Sequence, residues 1–259
     1  MYALQLPFRE YPGVEYENFP LPPDFQEETE FVFGHLMFPP APGARFAWRG
    51  FGGSGWKQGG VTPWTNDYPR ADRHFVEALR RLTRIHARSV EQPVNLDDGD
   101  DVFYWPWLYA VQAGGWLLTD AQVQKLREYL MRGGFLMADD IWGSREYAVF
   151  EAGIRRVLPD RPIVELENSD PIFHMLWNLD DRFQISGAWS VGGPPYLEDG
   201  YKAYWRGIYD DKGRLIVAIH VNSDTGDSWE WADDPRYPEK YSSLGIRLGV
   251  NYVVYAMTH

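Results

Sequence analysis

Two places in the sequence carry side chains that could bind a ligand or exchange protons with it. Asp139 and Asp140 follow the apolar run Phe135–Ala138, and His220 follows the apolar run Leu215–Ile219. Carboxylates and imidazole commonly act as general acids, general bases and metal ligands. Both runs have the continuous apolar character of strands buried on two faces, so these polar residues stand where the strands are expected to end. We therefore predict a site at the two strand ends.

Each of these groups also has a structural interpretation, which the sequence leaves open. Neighbouring residues of a strand point to opposite sides, so Asp139 and Asp140 could each fix a turn instead of sharing a site. A single histidine such as His220 is often a hydrogen-bonded structural residue. In the catalytic interpretation, Asp140 is the nucleophile or base, His220 is the base or a metal ligand, and Asp224 orients the histidine. Asn222 is then a ligand-binding residue beside them.

The composition excludes several kinds of chemistry. The 259 residues include no cysteine, so the chain has no thiolate nucleophile, disulfide bond or zinc-thiolate site. The formal net charge of -12 disfavours a nucleic acid or an anionic membrane as partner. No apolar run reaches the roughly 18 residues of a membrane span. Because no zinc-binding histidine motif occurs, no cofactor is expected, although a divalent metal ion is left open.

The segments around the two strands alternate between strand and helix from residue 31 to residue 258. Alternation at this spacing predicts a mostly parallel sheet with helices on both faces. We interpret residues 31–259 as a single α/β domain with aromatic loop excursions. Residues 1–30 contain prolines at 7, 12, 20, 22 and 23, which disfavour a long helix or a central strand. This part is therefore predicted to be an extended, Pro-rich N-terminal arm.

Local signals place individual elements. A helix is predicted after Thr119, which forms a capping box with the glutamine three residues later, and Gly133 is expected to end it. Ser144 is predicted to cap the next helix. A short strand is expected around residues 88–90. Residues 183–209 are interpreted as an irregular aromatic excursion that could contain a hairpin.

Aromatic residues are unusually frequent, with 12 Trp, 16 Tyr and 14 Phe. Many lie in Gly- and Pro-rich segments, where they either fill space under long loops or form a stacking surface for sugars and other flat ligands. Trp116 follows the turn Gly114–Gly115, and Trp142 follows the paired aspartates. We predict that these two tryptophans, with Gly114 and Gly115, belong to the ligand site.

Several segments resemble a known family. They are Tyr68–Phe75, Leu79–Thr83, Gly114–Trp116, Leu126–Leu130, Gly133–Leu136 and Asp139–Asp140. Together they resemble the bacterial family called domain of unknown function 4159, over most of residues 31–258. That family is in turn similar to the class I glutamine amidotransferase-like superfamily. The resemblance therefore implies a flavodoxin-like α/β fold, in agreement with the alternation of strands and helices.

The resemblance also implies a frame for the site. Amidotransferases of this class place a nucleophilic cysteine on a sharp turn after a Gly-Gly-led strand, and their catalytic histidine follows a later strand. In this sequence Gly133–Gly134 leads the strand, Asp140 falls near the place of the cysteine, and His220 falls near that of the histidine. Without cysteine no thiol acyl-enzyme can form, so glutamine amidotransferase activity is not expected.

We therefore expect an amidotransferase-like-fold protein that binds a small molecule or carbohydrate. Its polar cleft would lie at the carboxyl edge of the sheet, with Asp139 among the ligand-binding residues. One alternative is a hydrolase that uses Asp140 and His220, with or without a metal ion. Another is a scaffold that docks a protein partner through the arm and aromatic face. The resemblance implies a bacterial protein. The sequence leaves its compartment open between the cytoplasm and export with removal of a signal peptide.

Overall fold

A seven-stranded sheet with helices on both faces forms the body of the protein. The structure, a computed structural model, describes residues 8–13, 20–45 and 54–259. The α/β architecture predicted from the sequence is confirmed. The predicted arm over residues 1–30 lies partly outside the described residues. Within the described part, Tyr11 is buried and its ring meets that of Trp64 edge to face at 5.6 Å.

The regular elements alternate along the chain as follows. The strands are β1 (Gly34–Met37), β2 (Gln92–Asn95), β3 (Trp107–Ala110), β4 (Phe135–Ile141), β5 (Val164–Glu165), β6 (Tyr204–Tyr209) and β7 (Leu215–Val221). The α-helices are α1 (Arg70–Leu82), α2 (Asp120–Met131), α3 (Gly143–Val157), α4 (Thr225–Glu230) and α5 (Glu239–Thr258). None of the helices in the described ranges has the length and apolar character that crossing a bilayer requires.

The order of the strands defines the topology. The sheet runs β2-β1-β3-β4-β7-β6-β5, and its first five strands are mutually parallel. The strand β6 pairs antiparallel with both β7 and β5. The parallel part therefore has the flavodoxin-like order, in which the chain changes direction between β1 and β3. In such sheets the carboxyl ends of the strands beside this switch point form the usual ligand site.

Each face of the sheet buries its own apolar layer. Helices α2 and α3 cover one face, where Leu126 and Phe150 are fully buried. Helices α1, α4 and α5 cover the other, where Phe75, Trp229 and Leu248 are fully buried. Because the central strands are covered on both sides, their residues are apolar almost continuously. This explains why the apolar runs in the sequence identified β4 and β7.

Two strands extend further than their apolar runs predicted. β4 continues through Ile141, so Asp139 and Asp140 lie within it, and β7 continues through Val221, so His220 is a strand residue. Their polar side chains remain in the sheet because other elements cover them with hydrogen-bonding groups, which tertiary structure alone provides. The sequence predicted that the paired aspartates and the histidine follow the strands. This prediction is wrong, because all three residues lie within them.

Other elements differ from prediction for local reasons. No strand forms around residues 88–90, and the nearest one is β2, which begins at Gln92. The side chain of Arg88 donates to the carbonyl oxygens of Val90 and Glu91 at 3.1 and 2.5 Å, which bends the chain at residues 88–91. The excursion over 183–209 ends in a regular strand, β6, which forms a hairpin with β7. Helix α4 was not predicted, since its six residues are too few for a periodic pattern.

The helix caps gave one confirmed and one wrong prediction. The capping box at Thr119 is present, with mutual bonds to Gln122 of 3.2 and 3.0 Å. Ser144 does not cap α3, which begins at Gly143. The backbone of Gly143 has φ 69°, and a Cβ there would lie 2.4 Å from Oδ1 of Asp199, which instead accepts the amide of Ser144 at 2.8 Å. A carboxylate from a distant loop thus replaces the local cap.

A buried His–Asp pair joins β1 to α1. His35 and Asp72 are both fully buried, with Nδ1 of His35 2.7 Å from Oδ2 of Asp72. Nε2 of His35 donates to the carbonyl oxygen of Trp64 at 2.6 Å. Although burial opposes the charged imidazole, Asp72 and the Trp64 carbonyl raise the pKa of His35 above its usual value. The pair therefore holds a proton in the core.

This pair should make stability depend on pH. Because the pKa of His35 is higher in the folded than in the unfolded protein, its stabilising effect is complete below about pH 6.5 and is lost as pH rises through the folded pKa. We expect the free energy of unfolding to decrease above pH 6.5, and this decrease to be smaller in Asp72→Asn. Chemical denaturation between pH 6 and 9 measures both. Asp120→Asn, an exposed carboxylate on α2, is the matched control and should keep the wild-type slope; equal slopes in all three proteins would contradict the prediction.

Candidate functional site

A cavity of about 310 Å³ lies at the carboxyl edge of the parallel strands. The segments that follow β1, β3 and β7 contribute to it, together with the end of β4 and the loop around residues 188–197. Its lining residues are Arg45, Asn66, Gln112, Asp140, Ala188, Trp189, Leu197, Asp224, Asp227 and Trp231. The cavity thus occupies the edge at which ligands bind in open α/β sheets, beside the change of direction between β1 and β3.

Asp140 is held in a defined orientation at the base of this cavity. Its backbone has φ 55°, a left-handed conformation that aspartate and asparagine tolerate better than most residues. Its Oδ1 accepts the indole N–H of Trp142 at 2.5 Å, and its Oδ2 lies 3.1 Å from Nη2 of Arg45. The buried Trp142 therefore positions the carboxyl group and does not itself line the cavity.

Arg45 is fixed mainly by Glu146 of α3. Its Nε and Nη2 lie 2.8 and 3.1 Å from the two carboxylate oxygens of Glu146, and Nη2 also donates to the backbone oxygen of Asp140 at 2.7 Å. Although burial opposes its charge, Asp140 and Glu146 raise the pKa of Arg45 above its usual value. Two carboxyl groups and a carbonyl thus occupy this guanidinium, which limits its capacity for an anionic ligand.

Asp140 and Asp224, two of the three carboxyl groups that line the cavity, are both difficult to ionise. Burial raises the pKa of Asp140 well above its ordinary value, and the neighbouring Asp224 and Glu146 raise it further against the attraction of Arg45. Burial and Asp227 do the same for the pKa of Asp224. Both carboxyl groups are therefore less acidic than an exposed aspartate. A protonated carboxyl group is both a donor and an acceptor of hydrogen bonds.

The acids at the start of α4 position two indole rings. Asp224 accepts the amide of Asp227 at 3.0 Å and the indole N–H of Trp189 at 3.4 Å. Asp227 accepts the amide of Ala188 at 2.6 Å and the indole N–H of Trp231 at 3.2 Å. The exposed fraction of Trp189 is 44%, although its polar edge is directed at Asp224. Both rings therefore combine a fixed orientation with access to the cavity.

Gln112 carries a buried acceptor to which no group of the described residues donates a hydrogen bond. It follows β3 in a left-handed conformation, φ 48°, and its side chain is buried. Its Oε1 has no hydrogen-bond partner among the described residues. A buried polar atom without a partner costs about 1–3 kcal/mol, and strained backbone is concentrated at functional sites. Both features indicate a side chain arranged for a ligand.

His220 and Asp139 lie beneath the cavity, in the core. His220 is fully buried: Nδ1 is 2.7 Å from the hydroxyl of Thr225, and Nε2 is 3.0 Å from that of Tyr252. Asp139 is also fully buried, with one oxygen accepting the hydroxyl of Tyr109 and two backbone amides of α4. Asp224 caps α4, and the structure places no hydrogen bond between it and His220 within the described ranges. The predicted catalytic trio is therefore not assembled around one cavity.

The other predicted ligand-binding residues have structural roles, as hydrogen-bonding or packing partners of neighbouring elements. Asn222 accepts the amide of Gly143 at 2.8 Å and donates to the carbonyl oxygen of Lys202 at 2.7 Å. A Cβ on Gly114 would lie 2.6 Å from Cβ of Glu146, and one on Gly115 would lie 2.9 Å from Cβ of Ala44. Trp116 is buried and stacks on Phe150 at 4.9 Å. These residues support the cavity walls but do not line the cavity.

Two of the site residues predicted from the sequence, Asp140 and Asp224, line the cavity. The other residues that line it were not predicted. Gln112 gives a usable signal, since it is the polar residue at the end of the β3 run. Asp227 gives another, because it belongs to the polar loop after β7. Arg45 and Asn66 give none, because they lie in irregular chain far from the other site residues in sequence. Only the tertiary structure brings them to the same edge.

Three carboxylates beside the cavity could hold a metal ion. Asp67, Asp227 and Glu230 are buried, and one oxygen from each lies within 4.8 Å of the others. Oxygen ligands of this kind suit calcium or magnesium. Each of the three residues also interacts with other groups of the chain. The cluster is therefore the part of the described chain best suited to a divalent ion.

The fold and the site define a flavodoxin-like α/β protein with a polar, aromatic-walled cavity and no cysteine. The sequence profile of the family described as domain of unknown function (DUF4159) matches residues 58–257. The chain therefore belongs to that family, and the match includes the end of β4 and the segments after β3 and β7 that line the cavity. A comparison with curated proteins found no match.

Two substitutions of Asp140 should show whether the protein needs its hydrogen-bond acceptor and backbone conformation or its ionisable carboxyl group. Asp140→Asn keeps an acceptor for Trp142 and suits the left-handed backbone, so we expect its free energy of unfolding to stay within about 1 kcal/mol of wild type at neutral pH. Asp140→Ala should lose roughly 2–4 kcal/mol, because alanine is strained at φ 55° and the buried indole N–H loses its acceptor. Urea denaturation compares the two variants. Equal losses in both would mean that Asp140 has no such positioning role.

Proposed function

We propose that the protein binds a small, neutral, polyhydroxylated ligand, a carbohydrate, in the cavity at the carboxyl edge of the sheet. The observation that carries this proposal is the buried acceptor of Gln112, which has no partner among the described residues and belongs to a side chain that lines the cavity. A ligand hydroxyl would supply the missing donor. The support for this ligand comes from the residues that line the cavity.

The polar groups of the cavity suit hydroxyl groups. A sugar hydroxyl donates one hydrogen bond and accepts others, so it needs partners of both kinds. Gln112 and Asn66 each offer an amide, and the hard-to-ionise carboxyl groups of Asp140 and Asp224 can also donate and accept. Their convergence on a cavity of about 310 Å³ gives a small polyol several partners at once.

The charges of the cavity argue against an anionic ligand. Its cation, Arg45, already contacts Asp140 and Glu146, while Asp224 and Asp227 add further carboxyl groups. The whole chain has a net charge of -12, which repels anions at long range. Phosphates and nucleotides are thus disfavoured on both counts. A cationic ligand would favour the ionised forms of Asp140 and Asp224, whose pKa values burial raises, so its binding would favour proton release.

The aromatic wall supplies the second part of carbohydrate recognition. Trp189 and Trp231 both line the cavity, and each indole N–H is bonded to an aspartate of α4. The faces of such fixed rings can pack against the C–H face of a sugar, burying apolar surface at little cost in side-chain entropy. Polar groups at one side and an aromatic face at another form the combination that a pyranose ring requires.

Replacing Gln112 should weaken binding without weakening the fold. In Gln112→Met the side chain keeps its size but loses the amide, so an unsatisfied buried atom is removed. We expect the free energy of unfolding to stay level or rise, while affinity for a bound saccharide falls about tenfold. Calorimetric titration with glucose, galactose, mannose, N-acetylglucosamine and their disaccharides measures the affinity.

The exposed Gln124 of α2 provides the matched control for this test. Gln124→Met makes the same chemical change far from the cavity and should bind like the wild-type protein. Titration in two buffers of different ionisation enthalpy separates a neutral ligand from a cationic one, since only the latter releases protons. Absence of binding across the whole panel, or equal binding by Gln112→Met and wild type, would contradict the proposed function.

A glycoside hydrolase is the second candidate, because the carboxyl groups of Asp140, Asp224 and Asp227 line the same cavity. Such enzymes use one carboxylic acid and one carboxylate, and a raised pKa keeps the acid protonated at neutral pH. Asp140, whose carboxyl group Trp142 and Arg45 orient, is the better candidate for the acid. Release of nitrophenol from nitrophenyl glycosides by the wild-type protein but not by Asp140→Asn would favour this candidate over simple binding.

A further inference from the structure

A second cavity, of about 340 Å³, adjoins the first. The two share Ala188, Trp189 and Trp231, so the same aromatic wall lines both. We call the cavity that contains Asp140 and Gln112 the inner cavity, and this second one the outer cavity. A ligand that projects beyond the shared wall would enter the outer cavity.

The outer cavity differs from the inner one in chemistry. Beyond the shared wall it is lined by Val191, Tyr237, Asp234 and Arg236. Asp234 and Arg236 neutralise each other, with Nη2 of Arg236 2.6 Å from Oδ2 of Asp234. The hydroxyl of Tyr237 donates to the carbonyl oxygen of Ser186 at 2.6 Å. The outer cavity therefore presents an aromatic and aliphatic surface whose charged groups are already paired.

The shared tryptophans are held in place between the two cavities. Trp189 meets Trp142 edge to face at 5.5 Å, and Trp142 in turn contacts Asp140. Arg70 lies over the ring of Trp231 at 4.6 Å, while Asp227 holds its indole N–H. Because contacts on other elements fix both rings, the wall is already formed in the absence of a ligand. Preformed walls of this kind lower the entropic cost of binding.

We infer that the two cavities are adjacent subsites for a glycan of at least two sugar residues, which deepens the proposed function and rests on it. One sugar occupies the inner cavity, where Gln112, Asp140 and Asp224 meet its hydroxyl groups. The next sugar packs in the outer cavity against the shared tryptophans and Val191. The inner subsite selects by hydrogen bonding, and the outer subsite adds affinity through apolar contact with little demand on hydroxyl configuration.

The arrangement favours a neutral glycan over other extended ligands. Both cavities offer paired or hard-to-ionise charges, so neither subsite demands a charged group. A chain of sugars repeats the same combination of hydroxyl groups and apolar face at each residue, which matches a polar subsite and an aromatic subsite placed in sequence. Burying the second ring against the wall should strengthen binding about tenfold over the monosaccharide.

The test compares each monosaccharide with its disaccharides by calorimetric titration of the full chain. The probes are glucose, galactose, mannose and N-acetylglucosamine, and disaccharides of each in α and β linkage. Val191→Trp fills the outer cavity from a side chain that is 54% exposed, so the fold should tolerate it. We expect a disaccharide to bind about tenfold more tightly than its monosaccharide, and Val191→Trp to abolish that difference while leaving monosaccharide affinity within twofold.

Two further variants keep the test decisive. Leu117→Trp introduces the same ring at a residue that is 51% exposed and lines neither cavity, so it should keep the disaccharide preference. Arg236→Trp, at a second exposed residue of the outer cavity, should act like Val191→Trp even if the latter folds poorly.

The outcomes separate this inference from the proposed function. Equal affinity for mono- and disaccharides, with binding still sensitive to Gln112→Met, would overturn the outer subsite and leave the inner site standing. A disaccharide preference that both Val191→Trp and Arg236→Trp retain would do the same. Loss of the preference in these two variants alone supports the two subsites. No binding by any saccharide would overturn the proposed function and this inference together.

Discussion

Asp139 accepts three hydrogen bonds at a single carboxylate oxygen, from the hydroxyl of Tyr109 and the amides of Thr225 and Gly226, at 2.8–3.0 Å. These bonds join β3, β4 and the start of α4 inside the core. Burying a charged group without such partners would cost several kcal/mol, so the carboxylate and the free amides of the helix satisfy each other. The close approach also requires Gly226, where a Cβ would lie 2.2 Å from Asp67 and 2.6 Å from the Tyr109 hydroxyl. The remainder of the site depends on this contact, because it sets where α4 begins.

Further contacts hold the side chains that line the cavity. The start of α4 carries Asp224 and Asp227, which hold the indoles of Trp189 and Trp231. On the other side, Glu146 of α3 holds Arg45, and Trp142 holds Asp140. Asp140, Arg45 and the two indole rings are thus each fixed by a partner within the protein. Such preorganisation suits selective binding of a weakly interacting, neutral ligand, for which little free energy is available to order loops.

The same burial that builds the site also determines its electrostatics. Aspartates gathered at one sheet edge raise one another's pKa values, and the surrounding protein excludes the water that would favour their ionised forms. A single guanidinium, shared between Asp140 and Glu146, does not reverse this effect. The result is a cavity rich in carboxyl groups of reduced acidity, which is the basis on which we propose a neutral ligand. This property distinguishes it from the phosphate-binding turns of many flavodoxin-like proteins, which depend on free backbone amides at a helix N-terminus.

The sequence by itself determined the layer architecture, the buried strands β4 and β7, the cap at Thr119 and the absence of thiol chemistry. It did so because these depend on the local periodicity of apolar residues, on side chains three residues apart, and on composition. It also indicated the correct edge of the sheet, through polar residues at the end of β4 and after β7. It did not reveal that Asp139 and His220 lie in the core while Asp140 faces the cavity. Neighbouring strand residues point to opposite sides, but only the tertiary structure decides which side is covered by other elements. The contributions of Arg45, Asn66 and Gln112, and the adjacency of two cavities across Trp189 and Trp231, were decided by tertiary structure alone. They join segments separated by up to about 180 residues of chain, and no local pattern encodes which distant loops will meet at one end of a sheet.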